Sequence, residues 1–214
     1  FYGFVTKGLG FKLNRHEGKI VGLAAYGNPE KLYSTFKKYI WHSKSRIIVQ
    51  ERYKLLSLVE QFEKKDAKHV AAAVQRLLEE VTVAWVKFFL KKYNNSNVVL
   101  TGGVFANVKL NQRIHEIKGV KEVWVFPNMG DGGLGAGAAL ELYHRRHSGG
   151  SSNNNPKKVG TTKTYRLDNV YLGQKYSDEE IERQLKRYKL TYQYHKDIEK
   201  VIARLISQKK VVAR

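Results

Sequence analysis

The strongest constraint on the fold lies between residues 66 and 100. From Asp66 to Tyr93, apolar side chains return every three or four positions, with Val70, Val74, Leu77, Val81, Trp85 and Phe88 on one face. A stripe with that period predicts a long amphipathic helix. Asn94-Asn95-Ser96-Asn97 ends it, and Val98-Val99-Leu100 reads as a short buried strand running straight into Thr101-Gly102-Gly103. The same pattern then repeats: a helix around Phe105 to Glu116, an alternating strand in "VKEVWVF", a glycine turn from Pro127 to Gly133, and a helix in "LGAGAALELYHRR". This alternation is the rhythm of an α/β layer, a fold class that places ligands at the carboxyl ends of its strands.

The flanks are less regular. Phe1 to Phe11 reads as the end of an element, and "HEGKIVGLAAYGNPEK" as a short helix closed by Gly27 and Pro29. Ser45 to Tyr53 alternates weakly, as in a strand or hairpin. The Gly, Ser and Asn residues after His147 offer no apolar stripe and read as a linker or surface loop. Beyond it, Ser177 and Glu180 stand three apart as a capping box, and Asp197 to Gln208 carries a second helical stripe. The expected division is an α/β domain over residues 1–146, a linker over 147–165 and the start of a second domain over 166–214. A chain that opens on Phe1, has Met129 as its one methionine and stops on an apparent strand at Val211 to Arg214 is expected to be a piece of a longer protein.

Composition removes several function classes. Apolar residues make up 42% of the chain, enough for a core. The absence of cysteine excludes disulfides and thiolate metal sites, so a metal would need His, Asp, Glu or carbonyl ligands. No uncharged apolar run approaches the roughly 20 residues of a membrane span, and the expectation is a cytoplasmic protein with no membrane partner. The net charge of +20 admits nucleic acid as a partner, but the lysine and arginine pairs are scattered, which favours a solvated surface.

The glycine turns are the candidate sites. Gly102 and Gly103 remove Cβ atoms at a strand's carboxyl end, where helix N-terminal amides can face phosphates, and Asn107 stands one turn further on. Spacing alone fits a tight corner equally well. The second turn contains Gly130-Asp131-Gly132-Gly133-Leu134-Gly135, which satisfies G-x-G-x-x-G, but its aspartate would repel a pyrophosphate. Asp131 suits a cation or, alternatively, a helix cap. In "RHEGK", His16, Glu17 and Lys19 cluster at a helix start, so Glu17 is a candidate for ligand hydroxyls and Lys19 for a phosphate, with solvated end charges as the alternative. The seven histidines form no H-x-x-x-H or H-E-x-x-H motif, and neither G-x-S-x-G nor a P-loop occurs.

Four blocks, "FYGFVTKGLGFKLNRHEGKIVGLAAYG", "LTGGVFANVKLNQRI", "VFPNMGDGGLGAGAAL" and "YLGQKYSDEEIE", together resemble the O-carbamoyltransferases of the nodulation-protein and antibiotic-tailoring type. The likeness covers most of the chain outside Tyr33 to Lys65 and the Asn-rich segment. It implies the second half of an actin/hexokinase/Hsp70-like (ASKHA) nucleotide-binding domain, similar to the threonylcarbamoyl-transfer proteins, followed by the start of a YrdC-like domain. It further implies that carbamoyl phosphate and ATP yield a carbamoyl adenylate, whose carbonyl is attacked by a hydroxyl of a small-molecule acceptor. On this likeness Gly102, Gly103 and Asn107 contact the adenylate, and Asp131 is one ligand of a divalent metal, iron in type. The paired metal histidines of such enzymes would precede this chain and the carbamoyl-phosphate site would follow it; Gln174 stands where they carry proline. A related nucleotide-binding transferase or kinase and a basic nucleic-acid-binding module are the competing readings.

Overall fold

The computed structural model describes residues 1–51, 54, 62, 65–147, 167 and 169–213. Two compact units divide it, Phe1–Arg166 and Leu167–Arg214. The first is a mixed α/β unit. It opens with helices α1 (Tyr2–Gly8), α2 (Glu17–Ala24) and α3 (Tyr33–Phe36), followed by an antiparallel hairpin of β1 (Ile40–Ser43) and β2 (Arg46–Val49). The weak alternation after Ser45 is therefore the second arm of a hairpin whose first arm the sequence pattern concealed. The expected continuation to Tyr53 lies partly outside the described residues, and so does the Asn-rich linker.

Helix α4 (Ala67–Tyr93) is the long helix of the sequence pattern. Asp66 caps it, its side chain accepting from the Lys68 N–H at 3.2 Å, and Asn94 ends it in the left-handed conformation at φ 46°. Its buried face is broader than one stripe: Ala71, Ala72, Ala73 and Gln75 are buried beside Val70, Val74, Leu77 and Val81. The cause is α2, which packs on another flank of α4. Gly27 allows that approach, since a Cβ there would lie 1.9 Å from the Lys68 carbonyl oxygen. Trp85 is half-buried, and its indole N–H donates to the Ser45 carbonyl at 2.9 Å, anchoring the hairpin to α4.

One helix thus serves two cores. Its first part packs with Val5, Leu32, Phe36, Ile40 and Phe62. Its last turns, through Val86, join Leu100, Leu110, Ile114 and Ile117. The second core lies under β3 (Asn97–Leu100), α5 (Val108–His115) and β4 (Glu122–Val125). Strands β3 and β4 are parallel neighbours in register from Asn97↔Glu122 to Leu100↔Val125, and a parallel pair requires the crossover that α5 supplies.

The helix expected from Phe105 starts later. Gly103–Ala106 forms a 3-10 turn, and Asn107, extended at φ −77° and ψ 94°, separates it from α5. After β4, a second 3-10 turn, Asp131–Gly133, leads into α6 (Leu134–His147).

The unit Leu167–Arg214 holds α7 (Asp178–Arg187) and α8 (Ile198–Ser207). The capping box is present: Glu180 N–H donates to Ser177 Oγ at 3.2 Å, and Ser177 N–H donates to Glu180 Oε2 at 2.8 Å. None of this unit's described residues is buried. The strand expected at Val211 is absent through Ala213, because no strand among the unit's described residues offers a ladder to pair with. Among the described residues no helix is long and apolar enough to cross a membrane.

Candidate functional site

Because β3 and β4 are parallel neighbours, both of their glycine turns emerge at the same edge. The Gly102 N–H donates to the Met129 carbonyl at 2.6 Å, and one step earlier the Phe126 N–H donates to the Leu100 carbonyl at 3.3 Å. Gly102 has φ 110° and ψ 148°, a region essentially closed to residues with a Cβ. The 3-10 turn that follows makes its first bond from Phe105 N–H to Gly102 carbonyl at 3.0 Å. The N–H groups of Gly103 and Val104 precede that bond, and both residues line a cleft of about 650 Å³.

Further segments wall the cleft, among them α4 through Leu78. The second turn contributes Gly130 and Asp131, the start of α1 contributes Tyr2 and Gly3, and the loop into α2 contributes Asn14, Arg15 and Glu17. That loop is held locally: the Lys12 N–H donates to His16 Nδ1 at 3.0 Å, and the Asn14 N–H to Glu17 Oε1 at 2.8 Å. Glu17 is half-buried.

The sequence candidates fall into three groups. Glu17, Gly103, Asn107 and Asp131, from three distant segments, share the cleft. Gly102 does not line it but fixes the backbone beneath it. Lys19 is exposed on α2 and does not line the cleft; its ammonium lies 6.0 Å from the Phe11 ring centroid.

For two residues the structure removes one of the sequence alternatives. Asn107 is neither a surface residue nor a free amide. Its Oδ1 caps α5 by accepting from Leu110 N–H at 3.0 Å, and it exchanges two hydrogen bonds with Gln75. Asp131 is not a helix cap: Gly130 holds that position, and no side-chain bond caps the turn. The Asp131 carboxylate is exposed at the cleft. Gly133, two residues on, has a packing cause, since a Cβ there would lie 2.1 Å from the Asn128 carbonyl oxygen.

Sequence reasoning missed Tyr2, Arg15 and Gln75. Arg15 adjoins the "HEGK" cluster, and Gln75 interrupts an apolar stripe; both signals were readable. Tyr2 had none, because its position depends on α1 packing against α4. Burial pushes the Tyr2 phenol above its ordinary pKa, and the carboxylates of Glu79 and Glu17 add to the effect.

The cleft combines a guanidinium, two carboxylates, a phenol and turn amides, a set suited to a polar, phosphate-bearing ligand. Within the described residues of this chain a metal would not find a complete site. Among the described residues no group of three or more His, Cys, Asp or Glu side chains could hold an ion, so Asp131 can supply one ligand at most.

Comparison with known proteins agrees with this architecture. Residues 1–140 match the family model described as "Carbamoyltransferase N-terminus". Among curated proteins, the chain is 32% identical over 209 residues to the uncharacterized protein MJ1058 of Methanocaldococcus jannaschii, covering 90% of this chain and 32% of that protein. It is 30% identical over 229 residues to MJ1051 of the same organism, also uncharacterized, covering 99% of this chain and 41% of that one. The uncharacterized protein sll1178 of Synechocystis is 28% identical over 222 residues, covering 92% and 34%. The chain therefore spans about a third to two-fifths of the length of these relatives. With its glycine turns and cleft inside the matched residues 1–140, this chain belongs to the carbamoyltransferase family.

Proposed function

We propose that the full-length protein is an O-carbamoyltransferase and that the cleft of this chain receives a carbamoyl adenylate made from carbamoyl phosphate and ATP. The family match supports carbamoyl transfer in general. The observation that carries the finer reading is the convergence of Gly103, Asn107, Asp131 and Glu17 on one cleft at the ends of a parallel strand pair. In this reading the N–H groups of Gly103 and Val104 face the phosphate, Arg15 neutralises it, and Glu17 orients hydroxyls of the ribose or the acceptor. The surrounding domain is of the actin/hexokinase type, and the Leu167–Arg214 unit is the threshold of a YrdC-like domain.

A divalent metal, when bound, would polarise the carbamoyl carbonyl toward the attacking hydroxyl. Asp131 is the one ligand proposed from this chain, and no step is assigned through the ion.

The test is an assay of the full-length protein with carbamoyl phosphate and ATP. Release of pyrophosphate that depends on carbamoyl phosphate, together with carbamoylation of a hydroxyl acceptor, is expected. A folded full-length protein that shows no pyrophosphate release dependent on carbamoyl phosphate would contradict the assignment.

A further inference from the structure

We propose that Gln75 is the positioning residue of the cleft, acting through Asn107 and Tyr2 to set the geometry of the first glycine turn. The functional consequence rests on the nucleotide reading above; the structural part does not. Gln75 sits mid-way along α4, 5% exposed, amid the apolar residues of that face, where an amide is tolerated only if its valences are met. All four are met. Its Oε1 accepts from Tyr2 Oη and from Asn107 Nδ2, each at 2.9 Å. Its Nε2 donates to Glu79 Oε1 at 2.8 Å and to Asn107 Oδ1 at 3.2 Å.

Gln75 does not itself line the cleft, but two of its partners do. Tyr2 comes from α1, and Asn107 ends the turn that begins at Gly103. Asn107 also caps α5, so its side chain is fixed from both sides, by Gln75 and by the Leu110 N–H. Glu79 extends the frame, accepting from Arg113 Nε of α5 at 3.2 Å. A hydrophobic residue would fill the same space on α4, but it would take away the Gln75 partner of Asn107 Nδ2 and of the Tyr2 phenol. The amide is therefore spent on orientation of the cleft walls.

The experiment uses two variants of the chain, with ATP as the probe and thermal melting to confirm folding. Gln75→Met keeps the volume and removes all four bonds. Amide hydrogen exchange across Gly102 to Leu110 should accelerate, and ATP affinity should fall by about tenfold or more, while the chain still melts cooperatively. Gln75→Glu keeps the acceptors but, ionised, donates to neither Glu79 nor Asn107. The groups facing it are Tyr2 from α1, Glu79 on α4 and, through them, Glu17 of α2 and Arg113 of α5. Near Glu79 the introduced carboxyl should hold its proton to higher pH and regain one donor when protonated. Its ATP affinity relative to wild type at the same pH should therefore recover several-fold between about pH 8 and about pH 6. Gln75→Met should show no such recovery, which a purely structural role for the position would not predict.

Wild-type exchange and affinity in folded Gln75→Met, or a pH-independent ratio for Gln75→Glu, would overturn the proposal. If Gln75→Met does not fold, the pH comparison decides alone. If the wild-type chain binds no ATP, the exchange of Gly102 to Leu110 still decides the positioning role, and the nucleotide reading is what fails.

Discussion

The N–H of Gly102 donates to the carbonyl of Met129 at 2.6 Å, joining two glycine turns that lie more than twenty residues apart in sequence. At that junction Gly102 holds φ 110°, and Gly103 and Asp131 line the same cleft.

The first prediction separates the two adjacent glycines. Gly102→Ala forces a Cβ into a glycine-only region and should destabilise the chain by about 1–3 kcal/mol. At Gly103 a Cβ would meet nothing within 4 Å and no positive φ is required, so Gly103→Ala should leave stability unchanged or slightly raised. Denaturant unfolding of both variants is the check; equal losses would contradict the assignment of strain to Gly102.

Much of this arrangement was legible in sequence. The 3.6 period located α4, and its repetition after Val98-Val99-Leu100 located the strand, turn and helix units. Composition could not assign roles within the turns. The positive φ belongs to Gly102 rather than Gly103, and Asn107 is held by Gln75, a residue 32 positions away. Such facts depend on tertiary packing, which local spacing does not encode. The β1 arm was hidden for a related reason: its pairing with β2 and its anchor on α4 come from contacts beyond the segment itself.

A second prediction concerns packing of α2 on α4. Gly27→Ala would put a Cβ 1.9 Å from the Lys68 carbonyl oxygen, backbone that cannot yield cheaply. The variant should lose about 1–3 kcal/mol of stability, an overpacking cost, whereas Gly22→Ala, with open space around it, should not. A Gly27→Ala melt matching wild type would show that the two helices do not approach so closely.

Alkaline pH offers a third. Burial first, then hydrogen bonding to Glu80, pushes the Tyr33 phenol up to about 12, and burial likewise raises Tyr2. Both groups have folded-state values above the unfolded one of about 10, so their contribution is complete below about pH 10 and is lost as pH rises through the folded values. Stability should decline between about pH 10 and 12, and less steeply in Tyr33→Phe; unfolding midpoints across that range measure it.

The fourth concerns Asp131. Its side chain makes no capping bond and is exposed, so Asp131→Asn should change stability by less than about 0.5 kcal/mol. In the full-length protein the same change should sharply lower metal content and transfer, because an amide is a weaker ligand than a carboxylate. Unaltered metal content by elemental analysis would remove Asp131 from the proposed ligand set.

The most direct measurement for the central claim is calorimetric titration of ATP into the wild-type chain and into Gly103→Val. A Cβ at this position meets nothing within 4 Å and no positive φ is required, so the fold should survive. The branched side chain of valine would occupy the space proposed for the phosphate, and affinity should fall by a few kcal/mol, on the order of a hundredfold. Equal ATP binding by folded Gly103→Val and wild type would contradict a nucleotide site at this turn.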